Sequence, residues 1–410
     1  MASRLNVLLA GLVGAAAAIT TIAAVLLWPP HPHPTTPLGL SNHVSPDRGT
    51  VLLIRNYPCL DVLGGASADL PPSPSPAAPE CQTAQVLMHS GPDAGKVESV
   101  DQAGEAGIPT LGVGDRVLLV RSAGAGNQVT YGFYDFQRSS PLALLALAFA
   151  LIVVVVGRWR GIGALIGLGI TWLVMIRFVL PAILEGKDPV SVSLVGAAMI
   201  VLVVLFVAHG VNARTATAVL GTLASLVVVD VIARIAVHVT ALSGLATEES
   251  QYLQNVVGNV RIQGLLLGGI VIGALGVLND ITVTQASAVW EIHDADPDRR
   301  LIDLYRSGMR VGRDHIASTV YTLVLAYAGA ALPILLLFTL ASQRIGQVIT
   351  SEQVAEEVVR TLVGSIGLVL AVPLTTALAA LAVTSSARRP SSNVAQSSPD
   401  SMDRAATDGP

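Results

Sequence analysis

The stretch GLLLGGIVIGALGVLNDITVTQASAVWE, residues 264–291, decides the fold of this chain. Its first half is apolar and rich in glycine, and its second half carries polar side chains. On a helix, small or polar residues spaced three or four apart share one face; here they are Gly273, Gly276, Asp280, Thr284, Ser287 and Glu291. Such a face is typical of a membrane helix that packs closely at one end and lines a wet region at the other.

The composition of the whole chain also predicts a membrane protein. Of its 410 residues, 52% are hydrophobic and 13% are charged, and the mean hydropathy is +0.64. These values lie outside the range of ordinary soluble domains, so we expect the lipid bilayer to surround much of the chain. No long basic stripe is interleaved with aromatic residues, and nucleic acid is therefore not a predicted partner.

The apolar runs predict a polytopic α-helical membrane protein with about eight transmembrane helices. The first, within an N-terminal segment 1–28, follows Arg4 and lacks a small-x-small cleavage site, which favours an uncleaved transmembrane anchor over a signal peptide. Further runs form a predicted membrane domain over residues 140–384. They cover residues 141–156, 161–184, 191–208, 215–238, 262–289, 317–340 and 359–383.

Residues 29–139 predict a separate β-rich module after the first helix. Runs rich in β-forming residues, bounded by turn residues, indicate a small barrel or sandwich; they are Thr50–Ile54, Gln85–Met88, Arg116–Val120 and Gln128–Phe136. The two cysteines of the chain, Cys59 and Cys81, flank the proline-rich segment 71–79. If the module lies outside the cytosol, they are predicted to form a disulfide; the alternative is two unrelated cysteines.

The placement of arginine predicts the orientation of the spans. With a cytoplasmic N-terminus, the inner segments carry most of the arginines, including a group of five between residues 299 and 313. This arrangement places residues 29–139 outside the cytoplasm and the C-terminus inside it. The final segment, 385–410, lacks apolar periodicity and is predicted to be a disordered cytoplasmic tail.

Asp280 is the strongest candidate for a functional residue, because a carboxylate inside a membrane span is energetically expensive. It is expected to face the bundle interior or water, and to bind a cation or carry a proton. Asn279, Thr284 and Gln285 are predicted to supply neighbouring oxygen ligands. The alternative is a structural role, in which Asp280 pairs with an arginine or is protonated.

Two further groups of polar residues lie within or beside predicted spans. Asp230 and Arg234 are one helical turn apart, so they form either a self-neutralising ion pair or part of a charge relay; Arg177 is an alternative partner for Asp230. Asp314 and His315 open the span predicted at 317–340. Their roles there are either functional or limited to capping and anchoring the helix.

Three enzyme motifs with a known mechanism are absent from this sequence, and a GxGD match at residues 112–115 lies in the β-rich module, where a turn explains it. There is no HExxH zinc pair, no GxSxG nucleophile elbow and no GxxxxGK[ST] phosphate loop. No catalytic residue, metal ligand or cofactor is therefore predicted, and we do not expect an enzyme.

The motifs GALGVLNDITVTQASAV, residues 273–289, and GRDHIASTVYTLVLAYAGAALPILLLF, residues 312–338, resemble the YibE/F-like family of bacterial membrane proteins. The resemblance extends over about residues 115–385. It implies a multi-pass protein of the bacterial plasma membrane and supplies no substrate. Asn279, Asp280, Asp314 and His315 correspond to motif positions without an implied role.

Two functions remain as hypotheses. One is a secondary transporter or permease for a small solute or ion, which intramembrane carboxylates and closely packed glycines favour. The other is a structural or assembly protein of the cell envelope whose outer β module binds a partner. The sequence leaves the oligomeric state open.

Overall fold

The computed structural model describes residues 2–30, 45–58, 80–102, 109–123, 129–340 and 345–387. These residues are mostly helical, with one small antiparallel sheet after the first helix. The chain divides into two compact units, which we call the helical unit, Met1–Thr35 with Gly157–Pro410, and the sheet unit, Thr36–Val156. Cys59 lies outside the described residues, as do the segment 71–79 and residues 388–410 of the predicted tail. The disulfide therefore stays a prediction.

The sheet unit contains five antiparallel strands in the order β3-β2-β1-β4-β5. Alternate apolar side chains, among them Val51, Val86 and Leu119, are buried and form its core. Strand β3 was not predicted from the sequence, because its polar residues interrupt the alternation of apolar and polar side chains that indicates a strand. The strands are β1 Asp47–Pro58, β2 Glu80–Met88, β3 Val97–Gln102, β4 Arg116–Ala123 and β5 Val129–Phe136.

A polar contact joins the turn after β2 to strand β5. The hydroxyl of Tyr131 donates to Asp93 Oδ2 at 2.7 Å, and Lys96 Nζ donates to Asp93 Oδ1 at 2.8 Å. The hydrogen bond from Lys96, followed by that from Tyr131, holds the pKa of the Asp93 carboxyl below its usual value. Burial and the bond to Asp93 raise the pKa of Tyr131 to about 12.

We predict that Tyr131→Phe loosens the sheet unit, because Asp93 loses a donor that connects β5 to the turn. Hydrogen exchange of the full chain should show faster exchange in β5 and in residues 91–95. Since the folded pKa of Asp93 is lowered, the contact stabilises the fold above the ordinary aspartate pKa, and this contribution disappears as the pH falls through the lowered value. Tyr134→Phe is the control, because Tyr134 is 63% exposed. Equal exchange in the two variants would contradict the prediction.

The helical unit is built from long apolar helices joined by short connections. A π-helical turn, Met175–Val179, follows α2, and Pro181 lies in the first turn of α3. The helices of the chain are α1 Ala2–Leu27, α2 Ser139–Val174, α3 Leu180–Leu184, α4 Pro189–His209, α5 Ala213–Val239, α6 Glu248–Val257, α7 Ile262–Ala295, α8 Leu301–Ala330, α9 Leu332–Leu340, α10 Ile345–Ile349 and α11 Glu352–Ala387.

Among the described residues, six helical segments are long and apolar enough to cross a membrane. The bent pair α8 and α9, with an angle of 58°, makes a seventh if it is one span; Pro333 follows the bend, where its ring cannot continue the preceding helix. The segment Ser139–Leu184 contains both predicted runs 141–156 and 161–184. It is interrupted at Arg158, whose φ of 52° is not helical. The count of about eight spans stays a prediction.

Helix α8 differs from the sequence prediction at its start. Asp314 and His315 were expected to open a span, but α8 begins at Leu301 and runs through both residues without a break. Leu304, in the first turn, is fully buried and packs with Val289 and Ala380. This apolar contact extends the helix toward the arginine-rich end, so a capping role for Asp314 is wrong.

Helices α5, α7 and α11 form the centre of the helical unit, and small residues let them approach closely. A Cβ atom added to Gly221 of α5 would lie 2.5 Å from Thr375 Oγ1 of α11. One added to Gly308 of α8 would lie 2.8 Å from Thr376 Cγ2. These glycines therefore set the spacing between neighbouring helices.

We predict that Gly221→Ala lowers the free energy of unfolding by about 1–3 kcal/mol, because the new methyl group overpacks the contact with Thr375. Thermal unfolding of the purified chain in detergent would measure this. Gly276→Ala is the matched control, since nothing lies within 4 Å of its added Cβ, and alanine there should be neutral or stabilise the helix by up to about 1 kcal/mol. A Gly221→Ala variant as stable as Gly276→Ala would contradict this packing.

Candidate functional site

A layer of buried polar side chains crosses the centre of the helical unit. Thr222 Oγ1 of α5 and Thr282 Oγ1 of α7 lie 2.6 Å apart. Gln285 Nε2 of α7 donates to the backbone oxygen of Gly308 in α8 at 2.8 Å. It also donates to Thr376 Oγ1 of α11 at 2.7 Å. One amide group therefore connects three helices.

This polar layer is fully buried but not fully satisfied. Gln285 and Thr375 are each 0% exposed. Gln285 Oε1 and Thr375 Oγ1 nevertheless have no hydrogen-bond partner among the described residues. Buried oxygen atoms without partners are unusual and call for an explanation, such as a water or a cation held beside them.

Asp280 lies on a different side of α7 from this layer. Asp280 and Thr284 are exposed, as are Gly273 and Gly276 on the same side. Within the described residues, the carboxylate of Asp280 has no hydrogen bond or ion pair. Tyr327 of α8 lies close to Gly273 on this side, while Asp280 itself, which was expected to face the bundle interior or water, is exposed.

The residues predicted to bind a ligand together with Asp280 therefore lie on different sides of α7. The hydroxyl of Thr284 donates to the backbone oxygen of Asp280 at 2.9 Å, which is a bond within α7. Asn279 is half-buried, and its Oδ1 has no partner among the described residues. Gln285 belongs to the buried layer, so its grouping with Asp280 is wrong: one residue along a helix turns the side chain by about 100°.

Asp230 and Arg234 form an ion pair within α5. Arg234 Nε donates to Asp230 Oδ2 at 2.9 Å. The side chain of Asp230 is 12% exposed and that of Arg234 is 51% exposed. The ion pair therefore extends from the interior of the bundle to its surface. Arg177, the alternative partner, is exposed and forms no ion pair among the described residues.

Asp314 and His315 lie inside α8, where neither caps a helix. Asp314 is exposed and His315 is half-buried, with an Nδ1 atom that lacks a partner among the described residues. The hydroxyls of Ser318 and Thr319 donate back to the His315 carbonyl, at 3.1 and 2.8 Å. These bonds involve the backbone oxygen of His315 and neither of the two candidate side chains.

Polar residues at the start of α11, which begins at Glu352, lie outside the span predicted at 359–383. They bind the connection between α5 and α6. Ser243 donates to Glu352 Oε1 from its backbone nitrogen at 2.7 Å, and Gln353 Nε2 donates to the Ala246 oxygen at 2.7 Å. Glu356, only 7% exposed, is buried nearby. The hydrophobic pattern starts later in the sequence, so hydropathy did not reveal this helical extension.

A metal centre of the usual composition is absent from the part of the chain that the structure describes. No group of three or more histidine, cysteine, aspartate or glutamate side chains there could hold a metal ion.

The sequence profile of YibE/F-like proteins matches residues 145–385. The chain belongs to the YibE/F-like family. The matched region extends from within α2 to within α11 and includes the buried polar layer and the Asp280 face; it begins after the strands rather than at the expected residue 115. No curated protein and no solved structure matches the chain.

We predict that Gln285→Ala lowers the free energy of unfolding by about 1–3 kcal/mol, because Thr376 and the Gly308 carbonyl lose their shared donor and a cavity remains. Thermal unfolding in detergent would measure the change. Thr284→Ala, the neighbouring residue on the exposed side, should change the stability by less than about 0.5 kcal/mol. Equal losses in both variants would show that the amide does not hold the three helices together.

Proposed function

We propose that this YibE/F-like protein is a secondary transporter or permease for a small solute or ion. Asp280 is the ionisable group that binds the ion or carries the proton. The observation that carries the proposal is the uncovered and unpaired Asp280 within α7, a helix of 34 residues that is apolar enough to span a membrane.

The energetics of this carboxylate favour a functional role. An aspartate near the centre of a membrane helix costs about 2.5–3.5 kcal/mol on insertion scales. No arginine or lysine among the described residues offsets that cost at Asp280. Its neighbours on the same face are glycines and a threonine, which leave room beside the carboxylate. Water, an ion or a solute moving along this face would therefore be stabilised at Asp280.

Interruptions of the helices support the same proposal. Solute transporters often use discontinuous helices, whose free backbone groups bind substrates or ions. Here α8 and α9 meet at a bend of 58°, a π-helical turn precedes α3, and Pro373 lies inside α11. These are positions where the helices are able to change direction during a transport cycle.

The proposed orientation places this transporter in the bacterial plasma membrane with both termini in the cytoplasm. The sheet unit then lies outside the cytoplasm, and the arginine-rich connections lie inside. Support comes from the arginine bias of the connections. It also comes from Trp159 and Trp290, which occur near the ends of apolar helical segments.

We predict that Asp280→Asn remains folded but loses stabilisation by the transported ion or by a pH step. A screen of unfolding temperature against pH and inorganic cations would find the condition that stabilises wild type. Flux into proteoliposomes under that condition would then be measured. Asp294→Asn is the matched control, since Asp294 is an exposed carboxylate in the last turn of α7, beyond Trp290. It should respond like wild type.

An identical response of wild type and Asp280→Asn would remove the support for transport. It would favour the second candidate, an envelope assembly protein that acts through its sheet unit. One observation favours that candidate: a β-bulge between Val51 and Leu53 leaves Leu52 and Leu53 46% and 48% exposed on a central strand. Removal of residues 40–135 would then abolish function while Asp280→Asn is tolerated.

A further inference from the structure

The helical unit has a pocket of about 480 Å³ where α2, α4, α5 and α7 meet. This volume lies within the range of small-molecule sites. Its polar lining comes from four helices and the turn between α4 and α5, so the pocket depends on the folded bundle. The polar residues that line it are Arg160, His209, Asn212, Arg214, Thr215, Ser287 and Trp290.

The charges around this pocket are mainly positive. No acidic residue lines it. Arg160 is exposed and forms no ion pair among the described residues. Arg214 Nη2 donates to Glu291 Oε1 at 3.0 Å, but Glu291 lies outside the lining and its side chain is 70% exposed. A surface pair of this kind contributes little and leaves other guanidinium donors available.

Hydrogen-bond donors without partners add to this charge. The indole Nε1 of Trp290 is buried and has no acceptor among the described residues. An unmet donor beside two arginines is suited to an oxyanion, whose several oxygens accept bonds from different directions. The lining therefore offers donors in excess of acceptors.

The beginning of α5 is held in a fixed position beside these donors. Asn212 Oδ1 accepts from the Thr215 nitrogen at 2.9 Å, and Asn212 Nδ2 donates to the His209 oxygen at 3.0 Å. Asn212 thus caps the helix and ties it to the end of α4. The remaining N–H groups of the first turn and the helix dipole add positive potential to a pocket that is already basic.

We propose that this pocket binds a phosphate-type oxyanion, as a free anion or as the headgroup of an anionic lipid. Arg160 and Arg214 are the charged contacts, with the Trp290 indole and the start of α5 as further donors. The pocket lies at the arginine-rich end of the bundle and next to an interfacial tryptophan, where phosphate headgroups occur. The site is separate from Asp280 and does not depend on transport.

The test uses the full chain purified in an uncharged maltoside detergent. Its unfolding temperature is titrated with inorganic phosphate in one arm. In the other arm it is titrated with phosphatidylglycerol in mixed micelles, against phosphatidylcholine micelles of the same concentration. We expect at least one of these probes to raise the unfolding temperature in a saturable manner. Arg160→Gln should weaken the midpoint about tenfold or more, as expected for the loss of a charged hydrogen bond.

Stabilisation by phosphate alone would identify a free anion, and stabilisation by phosphatidylglycerol, with or without phosphate, would identify a headgroup. Arg160→Lys should retain part of the effect, because it keeps the charge. Arg306→Gln is the matched control, since Arg306 is exposed on α8 and lies outside the pocket. The proposal is overturned if neither probe saturates, if Arg160→Gln titrates like wild type, or if Arg306→Gln loses as much as Arg160→Gln.

Discussion

The buried amide of Gln285 is the interaction on which the packing of the helical unit depends. In lipid, helices gain little from apolar contact with one another, so close backbone approach and a few hydrogen bonds must hold them together. Gln285 supplies two such bonds, to α8 and α11. Gly308 and Gly312 allow the helices to approach closely enough for these hydrogen bonds to form. A Cβ atom at either position would collide with α11 or crowd the amide of Gln285.

Helix α7 separates two chemical environments within one turn. Gln285 and Thr282 face tightly packed helices, where a neutral polar atom without a partner is costly. Asp280 and Thr284 face outward, and no described residue pairs with the carboxylate. A helix anchored on one side is a rigid support for a group on the other. This explains how an exposed charge is compatible with a stable bundle, and why substitutions on the two sides should have different effects.

The long apolar helices were predictable because hydropathy responds to length and composition, which a bilayer constrains directly. It was harder to predict from the sequence which side of a helix a single residue faces. Gln285 and Asp280 are five residues apart, and the sequence alone does not show which side of α7 other helices cover. The polar start of α8 resembled a loop because its burial depends on Val289 and Ala380, far away in the sequence. Helix α6 was not predicted either, because a short polar helix lacks the hydropathy of a membrane-spanning helix.

The bond between Gln285 and Thr376 also constrains the order of assembly. The two residues are 91 positions apart, and at a synthesis rate of about 5–20 residues per second the acceptor is made roughly 5–18 s after the donor. During that interval the Gly308 carbonyl of α8 is the acceptor for the Gln285 amide, and its bond to α11 is still missing. Completion of the bundle therefore waits for α11. A chain that stops before this helix lacks Thr376, and with it the side-chain hydrogen bond that joins α7 to α11.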